Sequence, residues 1–163
     1  MNFLVTQAVW TVLIFFLMEG VAWFLHQYVM HGWGWFLHKS HHEVKTESSG
    51  SFELNDFYVI PFMILNVLGF YFCVRLAPEL LFLPMGSTLY GAFYFLFHEV
   101  IVHQRIRNRI GAKTKNAYLI RLIRAHHIHH SVHAQHGCES FSFLYADPKY
   151  ALKKAQSASE AFN

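Results

Sequence analysis

Phe3 to Leu25 is an apolar run interrupted only by Thr6, Gln7, Thr11 and Glu19. As a helix it reaches about 35 Å at 1.5 Å per residue, more than a hydrocarbon core of about 30 Å. Phe57 to Val74 and Leu80 to Phe97 are two further uncharged apolar runs. Arg75, Ala77, Pro78 and Glu79 between them read as a tight turn, so these two runs form a transmembrane hairpin. Pro61 and Pro84 fall near the run starts, where the first helical amides lack partners anyway. Lys45 to Ser51 is a polar loop, and Asn55-Asp56 is placed to cap the second span. Asn116 to Arg124 alternates apolar and basic residues, as an interfacial amphipathic helix does. After Asp147-Pro148 the chain turns polar and rich in Ala, Ser and Lys, and no function is assigned to that tail.

The predicted fold class is therefore an all-α integral-membrane bundle of three to four transmembrane helices with cytosolic amphipathic helices. Ala117 to His130 adds the fourth span only if it embeds deeply. A chain of 163 residues makes one domain, 1–163. The first run has neither the basic start nor the small-residue cleavage site of a secretory signal and is expected to be retained. Composition agrees with lipid as solvent: 54% of residues are apolar and 14% charged, against roughly 25% charged in soluble domains.

The formal charge of +3 is too small to argue for nucleic acid, and its distribution says more. Of thirteen Lys and Arg, only Arg75 falls in the hairpin turn, while Lys39, Lys45 and those from Arg105 onward follow the first and third spans. Positive flanks mark the cytoplasmic side, which puts the N-terminus outside. Cys73 and Cys138 lie far apart and suggest neither a disulfide framework nor a thiolate site.

Thirteen histidines are the compositional outlier, and ten fall in four clusters. These are His26 and His31, then His38, His41 and His42, then His98 and His103, then His126, His129 and His130. The order HX4H, HX2HH, HX4H, HX2HH is an internal repeat. The two HX4H pairs end the first and third spans, so all four clusters belong at one membrane face. Each HX2HH puts imidazoles at i, i+3 and i+4, on one face of a helix, so three ligands can converge. An i, i+5 pair turns about 140° on an ideal helix and shares a face only through a π-bulge; otherwise each histidine serves a different metal.

A lone histidine is ordinarily a hydrogen-bonded interfacial or core residue. Ten at membrane depth need a collective reason, since ionisable groups there are costly. Ten donors exceed one ion and suit two metals of five imidazoles each. Imidazole takes iron and zinc alike. Neutral ligands avoid burying carboxylates near lipid and leave the metal charge uncompensated.

Other motifs fail. His98-Glu99-Val100-Ile101-Val102-His103 resembles a zinc-protease HExxH, but its second histidine arrives one residue late. Gly32 and Gly34 give GxG without the third glycine of a dinucleotide site.

The four clusters resemble those of the fatty-acid hydroxylase and sterol-desaturase superfamily of membrane di-iron enzymes. Their flanks resemble the β-carotene 3-hydroxylases within it. The matching stretches are Glu19-Gly20-Val21-Ala22-Trp23-Phe24, His38-Lys39-Ser40-His41-His42, Phe52-Glu53-Leu54-Asn55-Asp56, His103-Gln104-Arg105 and Gly137-Cys138-Glu139-Ser140-Phe141. Glu99 and His127 depart from that pattern, and neither falls on one of the ten histidine positions. The resemblance implies a monooxygenase that hydroxylates the 3-carbon of β-ionone rings, taking β-carotene to β-cryptoxanthin and zeaxanthin. It further implies two iron ions on the ten histidines, O2 as co-substrate, a ferredoxin-type electron donor, and a bacterial cytoplasmic membrane as location; imidazole chemistry adds that the isolated protein can carry zinc in place of iron.

His127, His133 and His136 read as surface residues or supports rather than ligands. Glu19 sits two turns before His26 and either accepts a hydrogen bond from a ligand imidazole or makes a helix–helix contact. Glu99 beside His98 has the same two readings. The basic run Arg105, Arg107, Arg109, Lys113, Lys115, Arg121 and Arg124 is explained by positive-inside bias and anionic lipid, or by docking of an acidic donor. Rival readings are another lipid oxygenase of the superfamily, a ketolase included, and a metal transport protein. Transport would favour ionisable residues inside the spans, where only Glu19 stands.

Overall fold

The computed structural model describes residues 2–43, 52–106 and 113–152. The expected loop from Lys45 to Ser51, and Arg107 and Arg109, lie outside them. Helix α1, Phe3–Phe24, starts where Asn2 accepts the amide of Leu4 and continues as a π-helix over Leu25–Trp33. Gly32 then leaves helical geometry, and α2 covers Trp35–His42. A 3-10 turn, Leu54–Tyr58, leads into α3, Val59–Leu76. The turn between runs is the 3-10 segment Pro78–Leu80, followed by α4, Phe82–Tyr94, which also passes into π-helix over Phe95–Val102. Helix α5 is Ala117–His130, capped by the side chain of Asn116.

Among the described residues, three helices are long and apolar enough to cross a membrane: Phe3–Trp33, Leu54–Leu76 and Pro78–Val102. Their exposed Leu, Val, Ile and Phe side chains, Leu4, Phe16, Leu65 and Leu96 among them, form the surface that lipid would cover. Helix α5 has 14 residues and reaches about 21 Å, short of the bilayer core. One of its faces, Leu122, Ile123 and Ala125, is buried with Phe97, Val102, Ala146 and Tyr150. The start of the polar tail thus closes this core, because Pro148–Tyr150 is a 3-10 turn and Tyr150 bonds Glu139.

The expected cap of the second span shifts by a few residues. Glu53 and Asp56 form a reciprocal capping box, and Asn55 is left to a different task. Helices α1 and α4 run parallel and pack closely. Gln7 donates to the carbonyl of Glu79 near their first turns, and Tyr90 donates to Glu19 further along, both at 2.8 Å. Gly86 marks their closest approach: a Cβ there would lie 2.6 Å from both Cβ of Ile14 and the carbonyl of Thr11. Parallel packing brings the two π-helical ends to the same level, and with them both HX4H pairs.

Candidate metal centre

Both HX4H pairs lie where an α-helix widens into a π-helix. The amide of His103 donates to the carbonyl of His98 at 2.9 Å, an i+5 bond, and Gly34 bonds Val29 in the same pattern at 2.8 Å. The wider turn brings residues five apart back to one face, so the π-bulge alternative is the one adopted.

The ten histidines gather in two sets of five. One holds His26, His31, His38, His42 and His129, and the other His41, His98, His103, His126 and His130. Within each, one ring nitrogen per residue lies within 4.8 Å of all the others. Each HX2HH is divided between the sets instead of converging on one. The i and i+4 imidazoles join the HX4H pair of their own half, and the i+3 imidazole crosses to the other half. Helices α2 and α5 therefore each serve both sets.

Outer hydrogen bonds fix the ring orientation. The Nδ1–H groups of His26, His31, His42 and His129 donate to the carbonyls of Phe141, Gln135, Val132 and Glu139 at 2.8–3.0 Å. His38 donates to Oδ1 of Asn55 at 2.7 Å. His41 donates to Glu53 at 2.8 Å, and His98 to Glu99 at 2.6 Å. Carbonyl and carboxylate oxygens only accept, so these rings carry their proton on Nδ1 and present a bare Nε2 lone pair inward.

The inward Nε2 atoms face one another at 3.2 Å for His31 and His129, 3.3 Å for His38 and His42, 3.2 Å for His41 and His98, and 3.0 Å for His103 and His126. Nε2 of His26 and of His130 is buried with no hydrogen-bond partner. In the first three pairs both nitrogens present lone pairs, which repel unless a cation lies between them. The separations match two nitrogens each about 2.1 Å from a shared ion at roughly right angles. The donor set fits a metal in each pocket.

Burial sustains the neutral form. It pushes His38 down to about 2, His42 to about 4 and His129 to about 3, with neighbouring imidazoles acting the same way. His41, His126 and His130 are driven well below the usual imidazole range, burial again leading. Neutral imidazole is the form that binds metal.

Several supports match the flanking stretches whose purpose the sequence left open. Arg105 reaches three carboxylates: Nε lies 2.7 Å from Glu99, and the terminal nitrogens lie 3.2 Å from Glu53 and 2.8 Å from Asp56. Burial opposes its charge, but Glu99, Glu53 and Asp56 hold its pKa above the ordinary value. Gln104, at φ 52°, turns the chain between His103 in its pocket and Arg105 on its carboxylates. Glu99 supports a ligand candidate, as one of its two readings had it. Glu19 does not: it accepts Tyr90 and the amides of Phe143 and Leu144, the helix–helix alternative extended to a loop.

Aromatic rings close one side of the centre. Phe143 is buried and stacks nearly parallel to His26 at 5.5 Å, with His98 at 5.3 Å. Phe141 lies 5.0–5.3 Å from His129, His31 and His26, and Tyr94 stacks on His98 at 4.7 Å. Elsewhere a cavity of about 240 Å³ reaches both sets past His41, His42, His103, His127, His130 and His133. His127, His133 and His136 are exposed and stand outside both sets. The aromatic wall was not singled out from the sequence, because aromatic residues are abundant throughout the chain.

The fatty acid hydroxylase family profile matches residues 11–147. The chain is 42% identical over 149 residues to a beta-carotene hydroxylase of Pantoea ananas, covering 89% of this chain and 82% of that protein. It is 40% identical over 154 residues to a beta-carotene hydroxylase of Paracoccus sp. (strain N81106 / MBIC 01143), covering 94% and 89%. A chloroplastic beta-carotene 3-hydroxylase of Haematococcus lacustris is 38% identical over 97 residues, 57% of this chain and 29% of that longer protein. No solved structure matches the chain.

Proposed function

The chain belongs to the fatty acid hydroxylase family, and from that premise we propose that it hydroxylates the rings of carotenoids at a pair of histidine-held metal ions. It is an oxygenase, and the β-ionone 3-carbon is the position proposed for attack, giving β-cryptoxanthin and then zeaxanthin from β-carotene. The observation that carries the reading is the convergence of ten imidazoles into two sets of five where two apolar helices end. Those ten residues are the proposed ligands.

Iron is the proposed metal. Imidazole sites hold zinc at least as well as ferrous iron, but zinc has no accessible redox change. Bound iron supplies the redox chemistry by which O2 and electrons from a ferredoxin-type donor place oxygen in an unactivated C–H bond. The protein's own part is positioning. Nδ1 hydrogen bonds aim the Nε2 atoms of seven of the ten imidazoles, the capping box and Arg105 fix the carboxylates behind His41 and His98, and Phe141, Phe143 and Tyr94 exclude water from one side. That apolar wall also suits contact with a hydrocarbon ring. The histidine-lined cavity is the proposed route for O2 and protons.

The cytoplasmic face is the proposed side for the site, with the Lys and Arg bias as its support. Lys113 and Lys115 are exposed and available there to anionic lipid or to an acidic donor, whereas Arg105 is engaged inside the protein.

The test strips metal from the purified chain, reconstitutes it with Fe(II) or Zn(II), and follows β-carotene by chromatography with a ferredoxin reducing system. Hydroxylated product is expected only with iron, O2 and reductant together. Equal turnover by the zinc sample, or product formed without O2, overturns the oxygenase reading, and a ketone product overturns ring hydroxylation.

A further inference from the structure

The two pockets are alike in their inward atoms and unlike in what stands behind them. In the set His26, His31, His38, His42 and His129, every Nδ1 donates to a neutral oxygen: four backbone carbonyls and the amide of Asn55. In the set containing His41 and His98, these two donate to the buried carboxylates Glu53 and Glu99. An anionic acceptor makes an imidazole a stronger donor to metal than a neutral one does, and outer partners of this kind typically change metal affinity about 10–100-fold.

The sequence repeat makes the contrast sharper. Glu53 and Asn55 are two residues apart on one turn, and they back His41 and His38, three residues apart on α2. Each therefore reaches a different pocket. Arg105 completes the arrangement by bridging Glu53 and Glu99, which draws both carboxylates behind the same ion. Negative charge is concentrated on one pocket although its ligand candidates are the same kind as the other's.

We infer that the two metal pockets are unequal in strength, the one formed by His41, His98, His103, His126 and His130 binding its ion first and more tightly because Glu53 and Glu99 stand behind it. Glu53, Glu99 and Arg105 are positioning residues for this pocket. Neutral supports leave the ion of the other pocket the more electron-poor and exchangeable of the two. This rests on the ten-ligand reading above.

The experiment uses the full chain in detergent or nanodiscs, saturated with Co(II) and then equilibrated with a graded series of competing chelator, with retained metal measured per chain. Wild type is expected to release its ions in two steps separated at least about 10-fold in free metal concentration. Glu53→Gln or Glu99→Gln should move the tight step about 10–100-fold toward the weak one and leave the weak step in place. Asn55→Asp puts a carboxylate behind His38 and should move only the weak step, toward tighter binding. It decides the matter even if the glutamate variants fail to accumulate. A single release step in wild type, a shift of the weak step by Glu53→Gln or Glu99→Gln, or no tightening by Asn55→Asp overturns the inference and leaves a two-ion site standing. Fewer than two ions per chain at saturation overturns the ten-ligand reading itself.

Discussion

His38 and His41 lie one turn apart on α2 yet face different pockets: Nε2 of His38 is 3.3 Å from that of His42, and Nε2 of His41 is 3.2 Å from that of His98 on the far side of the centre. Helix α5 repeats the division with His129 against His126 and His130. Neither pocket is complete without residues from both halves of the repeat, so the centre joins the halves as well as lying between them.

Replacing any one of the ten histidines with Ala is expected to abolish hydroxylation while the protein still inserts in the membrane. His133→Ala and His136→Ala should keep near-normal activity, because both are exposed and outside the two sets. Product formation in membranes, normalised to the amount of inserted protein, distinguishes the classes. Activity lost with His133→Ala to the same degree as with His41→Ala would require a new ligand set.

Ser140 has a φ of 62°, in the left-handed region, and stands between two carbonyls that hold His129 and His26. A non-glycine residue there costs about 1–2 kcal/mol, tolerated here because both neighbouring carbonyls must face inward. Ser140→Gly should preserve metal content and activity. Ser140→Val, with a branched Cβ poorly tolerated in that region, should lower the melting temperature and the metal retained per chain. Equal metal content in the two variants would separate this backbone turn from the centre.

Stability of the metal-free protein should fall on acidification. In the unfolded chain these imidazoles take up protons near 6.5, whereas burial holds His42 neutral to about 4, His129 to about 3 and His38 to about 2. Between those limits the unfolded state binds more protons, so the contribution is fully present above 6.5 and is lost as pH falls from there toward 4 and below. Thermal unfolding of chelator-stripped protein from pH 8 to pH 4 measures it. A melting temperature flat across that range would contradict burial of neutral histidines.

Gly86→Val should act at a distance. The added Cβ meets Ile14 and the carbonyl of Thr11 at 2.6 Å, forcing α1 and α4 apart. Gly86 is about 18 Å along the helix from His98, yet α1 and α4 carry the two HX4H pairs to a common level. Lower metal occupancy is expected, read by elemental analysis. Unchanged occupancy would mean that the α1–α4 contact at Gly86 does not set the geometry of the pockets.

The spans and the ten histidines are legible in the sequence because both are side-chain patterns: uninterrupted apolar runs in one case, repeated spacing in the other. Spacing alone leaves two answers for His26 with His31, since the backbone hydrogen bond that makes a π-turn has no residue signature. The split of His41 from His38 is hidden for a related reason, as i+3 and i+4 share a helix face while the partner across the bundle decides the pocket. Glu53, Asn55 and Arg105 are visible as part of matching stretches, but Asn55 pairs with His38 seventeen positions away and Glu53 with Arg105 about fifty positions away. The carbonyls of Glu139 and Phe141 leave no trace at all, because any residue supplies a carbonyl.

The two π-helical segments, Leu25–Trp33 and Phe95–Val102, also divide the chain by its tolerance to length. A residue added to or removed from the far end of α1 or α4 only adjusts how far the helix protrudes, and tilt can absorb the difference. Adding one residue between His26 and His31 makes them an i, i+6 pair, which at about 100° per residue of α-helical winding points His31 about 120° away from its pocket. The first turns of these helices are free to follow the thickness of whatever bilayer holds them, while the wide turns act as a counted joint in which an insertion is not neutral.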